Sequence, residues 1–228
     1  MNSTIENHFY LYPMGLGKLK KFAELGQMAN VYQKPDPQKF SGKWHTIFGN
    51  DNPIILELAC GKGDYTLALA ERFPAQNFLG IDIKGHRIHV GARQATERML
   101  HNVRFLRIYI DHVEEYFAAG EIQDIWITFP DPYLKKRQCN KRLTSPRFLE
   151  RYRKILSQDG TIQLKTDSPE LFTFTKDVIQ EQNLEVISIH ENVYKEDDVD
   201  HLLTDIQTHY ENMHLKDERT IRAVKFRP

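Results

Sequence analysis

From Pro53 onward, short apolar runs alternate with stretches whose apolar residues recur at a helical period. "PIILELA", "NFLGIDI", "VRFLRIYI", "IQDIWITF", "GTIQLKT", "LEVISIH" and "RTIRAVKF" have the length and β-branched content of strands. Between them, "GKGDYTLALAERF" enters a helix from a glycine turn, and "GHRIHVGARQATERML" places Ile88, Ala92, Ala95 and Met99 on one face. "VEEYFAA" makes a short helix and "SPELFTFTKDVIQEQ" a longer one, while "SPRFLERYRKIL" starts with Ser145 as N-cap and Pro146 at N1. Strand–helix alternation of this kind predicts an α/β domain built on a mostly parallel seven-stranded sheet with helices on both faces. The last two strands have no clear helix between them, which predicts one antiparallel edge strand. Residues 1–50 lack such a period and include the turn-rich "QKPDPQKF"; we expect an N-terminal extension there, with a short helix at "LKKFAEL", and one domain over 51–228.

Composition changes this picture little, and charge distribution changes it more. The chain has 228 residues, 40% hydrophobic and 27% charged, in the ordinary range of globular proteins. No apolar run reaches the ~20 residues of a membrane span, and the N-terminus does not read as a secretory signal. Cys60 and Cys139 are too few for a disulfide framework or a zinc site, so the expectation is a cytoplasmic protein without a metal. The formal net charge is zero, yet Tyr133–Lys154 carries nine Lys/Arg against one acid, and Gly15–His45 six lysines against two acids. Glu181–Glu218 reverses this, with eleven acids and two lysines. A surface polarised in this way binds a polyanion although the molecule as a whole is neutral; the acidic stretch by itself reads as a solvated face.

Sheets of this class take ligands at the carboxyl ends of their strands. Four successive strands end on acids there: Glu57, Asp82, Asp111 and Asp131. Gly61 and Gly63 of "ELACGKG" permit a tight turn and close approach of a ligand, but the third glycine of a dinucleotide fingerprint is missing and Ala59 occupies the place of the first. Alone, the glycine pair reads equally well as a packing turn, and each acid as a cap. On one rim, four carboxylates repel a pyrophosphate and favour a cationic ligand with a ribose. S-adenosylmethionine meets that demand; NAD is the rival. Asp82 is placed for the ribose diol and Asp111 for the adenine edge.

"FPDPYLKKRQCNKRLT" joins one of these acids to the basic segment. Pro130 and Pro132 restrict the backbone on either side of Asp131. Five cations follow between Lys135 and Arg142, and Arg147, Arg151 and Lys154 fall on one face of the next helix. A polyanionic substrate that delivers one reactive group to Asp131 accounts for both halves. A non-catalytic RNA binder leaves the acidic rim unexplained, and a small-molecule or protein methyltransferase leaves the basic loop unexplained.

With "GIDI", "LKTD" and "THYE", these strings make the chain from Pro53 to its end resemble the bacterial tRNA (guanine-N7-)-methyltransferase family, whose fold is the Rossmann-like class I S-adenosylmethionine-dependent one. "GKLKKFAE" is similar to that family's basic leader. The resemblance implies a tRNA substrate methylated to 7-methylguanosine at position 46 of the variable loop, and a monomer or homodimer. It implies cofactor contacts at Glu57, Gly61, Gly63, Asp82, Asp111 and Asp131, with Asp131 also catalytic. It further implies RNA or base contacts at Lys135, Arg137, Lys141, Arg142, Asp167, Thr208, Tyr210 and Glu211. Without it, Asp167 reads as a helix cap and Thr208–Glu211 as a loop. Ala59, Tyr133–Leu134 and the segment after Glu211 depart from the family's usual residues, which implies local differences in geometry.

Overall fold

The computed structural model describes residues 16–228; the first fifteen residues of the expected extension lie outside them. The chain runs through α1 (Leu16–Leu25), β1 (Val31–Gln33), α2 (Trp44–Phe48), β2 (Ile54–Leu58), α3 (Asp64–Arg72), β3 (Asn77–Ile81), α4 (Gly85–Glu97) and β4 (Val103–Arg107). After a 3-10 segment at Ile110–Tyr116 come β5 (Ile122–Thr128), α5 (Pro146–Ile155), β6 (Leu156–Thr166), α6 (Pro169–Glu181), β7 (Glu185–His190), α7 (His201–Asp205), α8 (His209–Lys216) and β8 (Arg222–Arg227).

The strands form one sheet in the order β1-β4-β3-β2-β5-β6-β8-β7. β1 to β6 run parallel, and β8 is antiparallel to both of its neighbours. The sheet has eight strands where the pattern predicts seven, because β1, only three residues long, pairs with β4 from within the N-terminal segment. The antiparallel strand lies one place in from the edge that β7 forms.

Period-two alternation sorts β2 between two cores. Ile54, Leu56 and Leu58 join the face covered by α2, α5 and α6; Ile55 joins the face covered by α1, α3 and α4. On the first face α5 buries Phe148, Leu149, Tyr152 and Ile155, which is the apolar stripe of its sequence. On the second, α4 buries Ile88, Ala92 and Ala95 as its period predicts. Met99 does not follow: the helix ends at Glu97, and Met99 sits exposed at φ 57° in the reversal after it. Phe105 of β4 packs where Gly63 and Gly91 leave room, since a Cβ on either would come within 2.8–2.9 Å of its ring.

The loops on the site side are strained. Ala59, after β2, and Phe129, after β5, hold φ of 56° and 48°, and Tyr133 holds 44°. Left-handed backbone costs a non-glycine residue about 1 kcal/mol or more. Ala59 therefore shows why a glycine is the easier residue at this turn.

Candidate active site

Because β2, β3 and β5 are parallel neighbours, their carboxyl ends open on one rim, and the acids that end them meet there. Glu57 is buried and accepts hydrogen bonds from the Thr66 amide (2.8 Å), the Thr66 hydroxyl (2.5 Å) and the Thr128 hydroxyl (3.1 Å). Burial pushes its pKa up to about 7, against the pull of those hydrogen bonds; Asp64 adds to the rise. Asp82 accepts from the Gly61 amide (3.0 Å) and the Lys84 amide (2.7 Å), which ties the glycine turn to the end of β3. Each Asp82 oxygen keeps a lone pair for a further donor. Asp111 pairs with Arg147 at 2.6 Å.

Three adjoining cavities occupy this rim. One of about 360 Å³ is lined by Asp82, Asp111 and Asp131 together with Ile83, Ile108 and Phe148. A second, about 200 Å³, is lined by Glu57, Gly61, Asp64 and Thr208. The third, about 630 Å³, is lined by Asp131, Asp167, Tyr210, His214 and Arg219. Phe129 borders all three, and Asp131 stands on the wall between the first and the third.

Arg142, expected among the RNA contacts, is turned inward and buried. Its guanidinium donates to the carbonyls of Pro132 (3.0 Å) and Tyr133 (3.1 Å) and lies 4.5 Å from the Phe174 ring centroid. It pins the loop that carries Asp131. Lys135, Lys136, Arg137 and Lys141 are exposed around that loop. Arg147 and Arg151, which the helical period adds to the basic patch, are instead paired with Asp111 and Glu114. The basic surface is therefore centred on the loop rather than on α5.

Asp167 is free for the site because Ser168, not Asp167, caps α6, accepting from the Leu171 amide at 3.1 Å. Its carboxylate meets Arg219 at 2.8 Å and His214 at 3.7 Å. Thr208 caps α8, a helix the pattern does not predict, by accepting from the Glu211 amide at 3.0 Å. Tyr210 borders the second and third cavities. Glu211 does not reach them: it is fully buried and pairs with an equally buried Lys165 at 2.5 Å. Lys165 also donates to the Tyr65 hydroxyl (3.0 Å), and Glu211 accepts from the Tyr194 hydroxyl (2.7 Å). Burial lowers the Lys165 pKa, and Glu211 opposes the fall. Lys165, His214, Arg219 and Arg87 are absent from the sequence-based set. Lys165 alone leaves a trace there, as a lysine inside the otherwise uncharged strand "TIQLKT".

Residues 51–224 match the family described as "Putative methyltransferase". Over 221 residues the chain is 47% identical to a tRNA (guanine-N(7)-)-methyltransferase of Bacteroides thetaiotaomicron, covering 94% of this chain and 86% of that protein. The chain belongs to the tRNA (guanine-N7-)-methyltransferase family. A protein of the same name from Christiangramia forsetii is 42% identical, over 92% of this chain and 97% of its own length. The fold also matches the solved structure of the 16S rRNA methyltransferase KamB, with a TM-score of 0.61 at 11% identity over 82% of this chain and 93% of that one. Among the described residues there is no cluster that would hold a metal, and no helix long and apolar enough to cross a membrane.

Proposed function

We propose that this protein transfers a methyl group from S-adenosylmethionine to N7 of a guanine in tRNA, at position 46 of the variable loop, in the cytoplasm. The observation that carries the reading is the place of Asp131. It borders both a cavity lined by Asp82 and Asp111 and a larger one lined by Asp167, His214 and Arg219, and it lies on a loop of exposed cations.

The donor set suits the cofactor. Asp82 has acceptor capacity for a ribose diol, Ile83, Ile108 and Phe148 offer apolar walls for an adenine, and Glu57 offers a carboxylate to the ammonium. When bound, S-adenosylmethionine supplies an electrophilic methyl group on a sulfonium. Guanine N7 has a lone pair and no proton, so no residue here needs to remove one. Asp131 orients the base and stabilises the positive charge that the purine acquires. Asp167, held by Arg219, accepts from the Watson–Crick edge, with Thr208 and Tyr210 beside it. Glu211 serves the same contacts from below, by fixing α8 to β6 through Lys165. Lys135, Lys136, Arg137 and Lys141 meet phosphates, while Arg142 keeps the Asp131 loop in place.

Incubation with labelled S-adenosylmethionine and unmodified tRNA, followed by nucleoside analysis, tests the assignment. Label in 7-methylguanosine is the expected result. Label in another nucleoside, or none, overturns it.

A further inference from the structure

The cleft contains a cation that this reading does not use. Arg87, two residues past the start of α4, borders all three cavities. Among the described residues no carboxylate lies within ion-pair distance of it. Its partner is neutral: the guanidinium donates to the Tyr210 hydroxyl at 2.7 Å and lies 5.5 Å from that ring's centroid. A half-buried guanidinium that faces a cavity and has only a neutral hydrogen-bond partner is equipped to receive an anion.

The place of Arg87 defines which anion. A Cβ built on Gly61 would come to 3.9 Å from one of the guanidinium nitrogens, so the glycine turn and the guanidinium share a wall of the smallest cavity. That cavity contains Glu57 and Asp64. A ligand group that enters beside two acids must itself carry positive charge, which the ammonium of an amino acid supplies. The α-carboxylate of the same amino acid then needs a cation close by. Two are available, Lys62 and Arg87. Lys62 is exposed at the mouth, whereas Arg87 is partly enclosed and presents a planar fork that matches a carboxylate with two parallel hydrogen bonds.

Resting on the assignment of this cleft to S-adenosylmethionine, we propose that Arg87 binds the cofactor's α-carboxylate, exchanging its Tyr210 partner for it. The amino-acid end of the cofactor is then read as a zwitterion, with Glu57 for the ammonium and Arg87 for the carboxylate. Arg87 thereby becomes the residue that distinguishes the intact cofactor from a decarboxylated one.

Calorimetric titration with two ligands tests this without turnover: S-adenosylhomocysteine, and its decarboxylated analogue, which keeps the amine. In the wild type the carboxylate should improve affinity by roughly thirty-fold, the scale of a charge-assisted contact. Arg87→Met should weaken S-adenosylhomocysteine by about that factor and change the analogue's affinity by less than about three-fold. Unchanged binding of the analogue also shows that the variant is folded. Equal losses for both ligands, or no loss for either, overturn the role of Arg87. So does a discrimination that disappears in Lys62→Met and survives in Arg87→Met. A wild-type protein that binds neither ligand would instead sink the underlying cofactor assignment.

Discussion

The raised pKa of Glu57 makes cofactor binding depend on pH in a direction and by an amount that can be worked out. The carboxyl is buried and titrates at about 7. Below that pH it is mainly neutral and offers no charge to an ammonium. The ligand's α-amino group, with an ordinary pKa of about 7.7–8.0, stays protonated over the acid range. If the ionised form of Glu57 is the binding form, the apparent Kd scales as one plus the ratio of proton concentration to the acid constant. Between pH ~7 and pH ~5.5 that ratio rises from about 1 to about 30, so affinity falls roughly fifteen-fold, or about 2 kcal/mol. Titration calorimetry with S-adenosylhomocysteine at both pH values, in the absence of tRNA, measures it. Glu57→Gln should bind more weakly at pH ~7 and lose the slope. A wild-type affinity that is flat over this range, or a slope that persists in Glu57→Gln, refutes the reasoning. The same shift has a sign for stability. Because the folded pKa lies above the unfolded one, the contribution of Glu57 is most favourable below pH ~4.5 and declines as pH rises through about 7, by about 3 kcal/mol in the free protein.

Asp131→Ala should reduce kcat on tRNA by about a hundred-fold while S-adenosylhomocysteine binding stays within a few-fold, measured by single-turnover kinetics and calorimetry; near-normal turnover would remove Asp131 from the chemistry. Lys165→Met leaves Glu211 as a buried unpaired charge and should cost about 3–5 kcal/mol in denaturant titration, with much of it restored in Lys165→Met/Glu211→Leu. Ala59→Gly relieves the left-handed backbone at φ 56° and should raise stability by up to about 1 kcal/mol, visible as a higher denaturation midpoint. Charge reversal of Lys135, Lys136 and Arg137 should lower the salt slope of tRNA binding by roughly three, at about one unit for each phosphate that is no longer neutralised, and leave S-adenosylhomocysteine affinity unchanged.

Strand ends and helix faces were legible in the sequence because they depend on local periodicity. The apolar runs gave seven of the eight strands, and parallel order alone placed Glu57, Asp82 and Asp131 on one rim. β1 leaves no signal because three residues between turns have no period, and α8 leaves none because its polar sequence has no apolar stripe. Cap identity was a choice between neighbours: Asp167 and Ser168 are both good caps, and only the three-dimensional path shows the serine doing it and the aspartate left for the cleft.

What a charged side chain meets was decided by the tertiary structure alone. Run length and sign along "KKRQCNKR" are properties of the sequence, and they predict a basic surface. Yet Arg142 turns inward to two carbonyls, Arg147 and Arg151 are neutralised by acids some thirty-six residues away (Asp111 and Glu114), and Lys165 finds Glu211 across forty-six. The physical reason is that periodicity records how a residue relates to its own element. An ion pair or a cavity wall relates two elements, and their meeting is fixed only when the sheet order and the packing on its two faces are fixed.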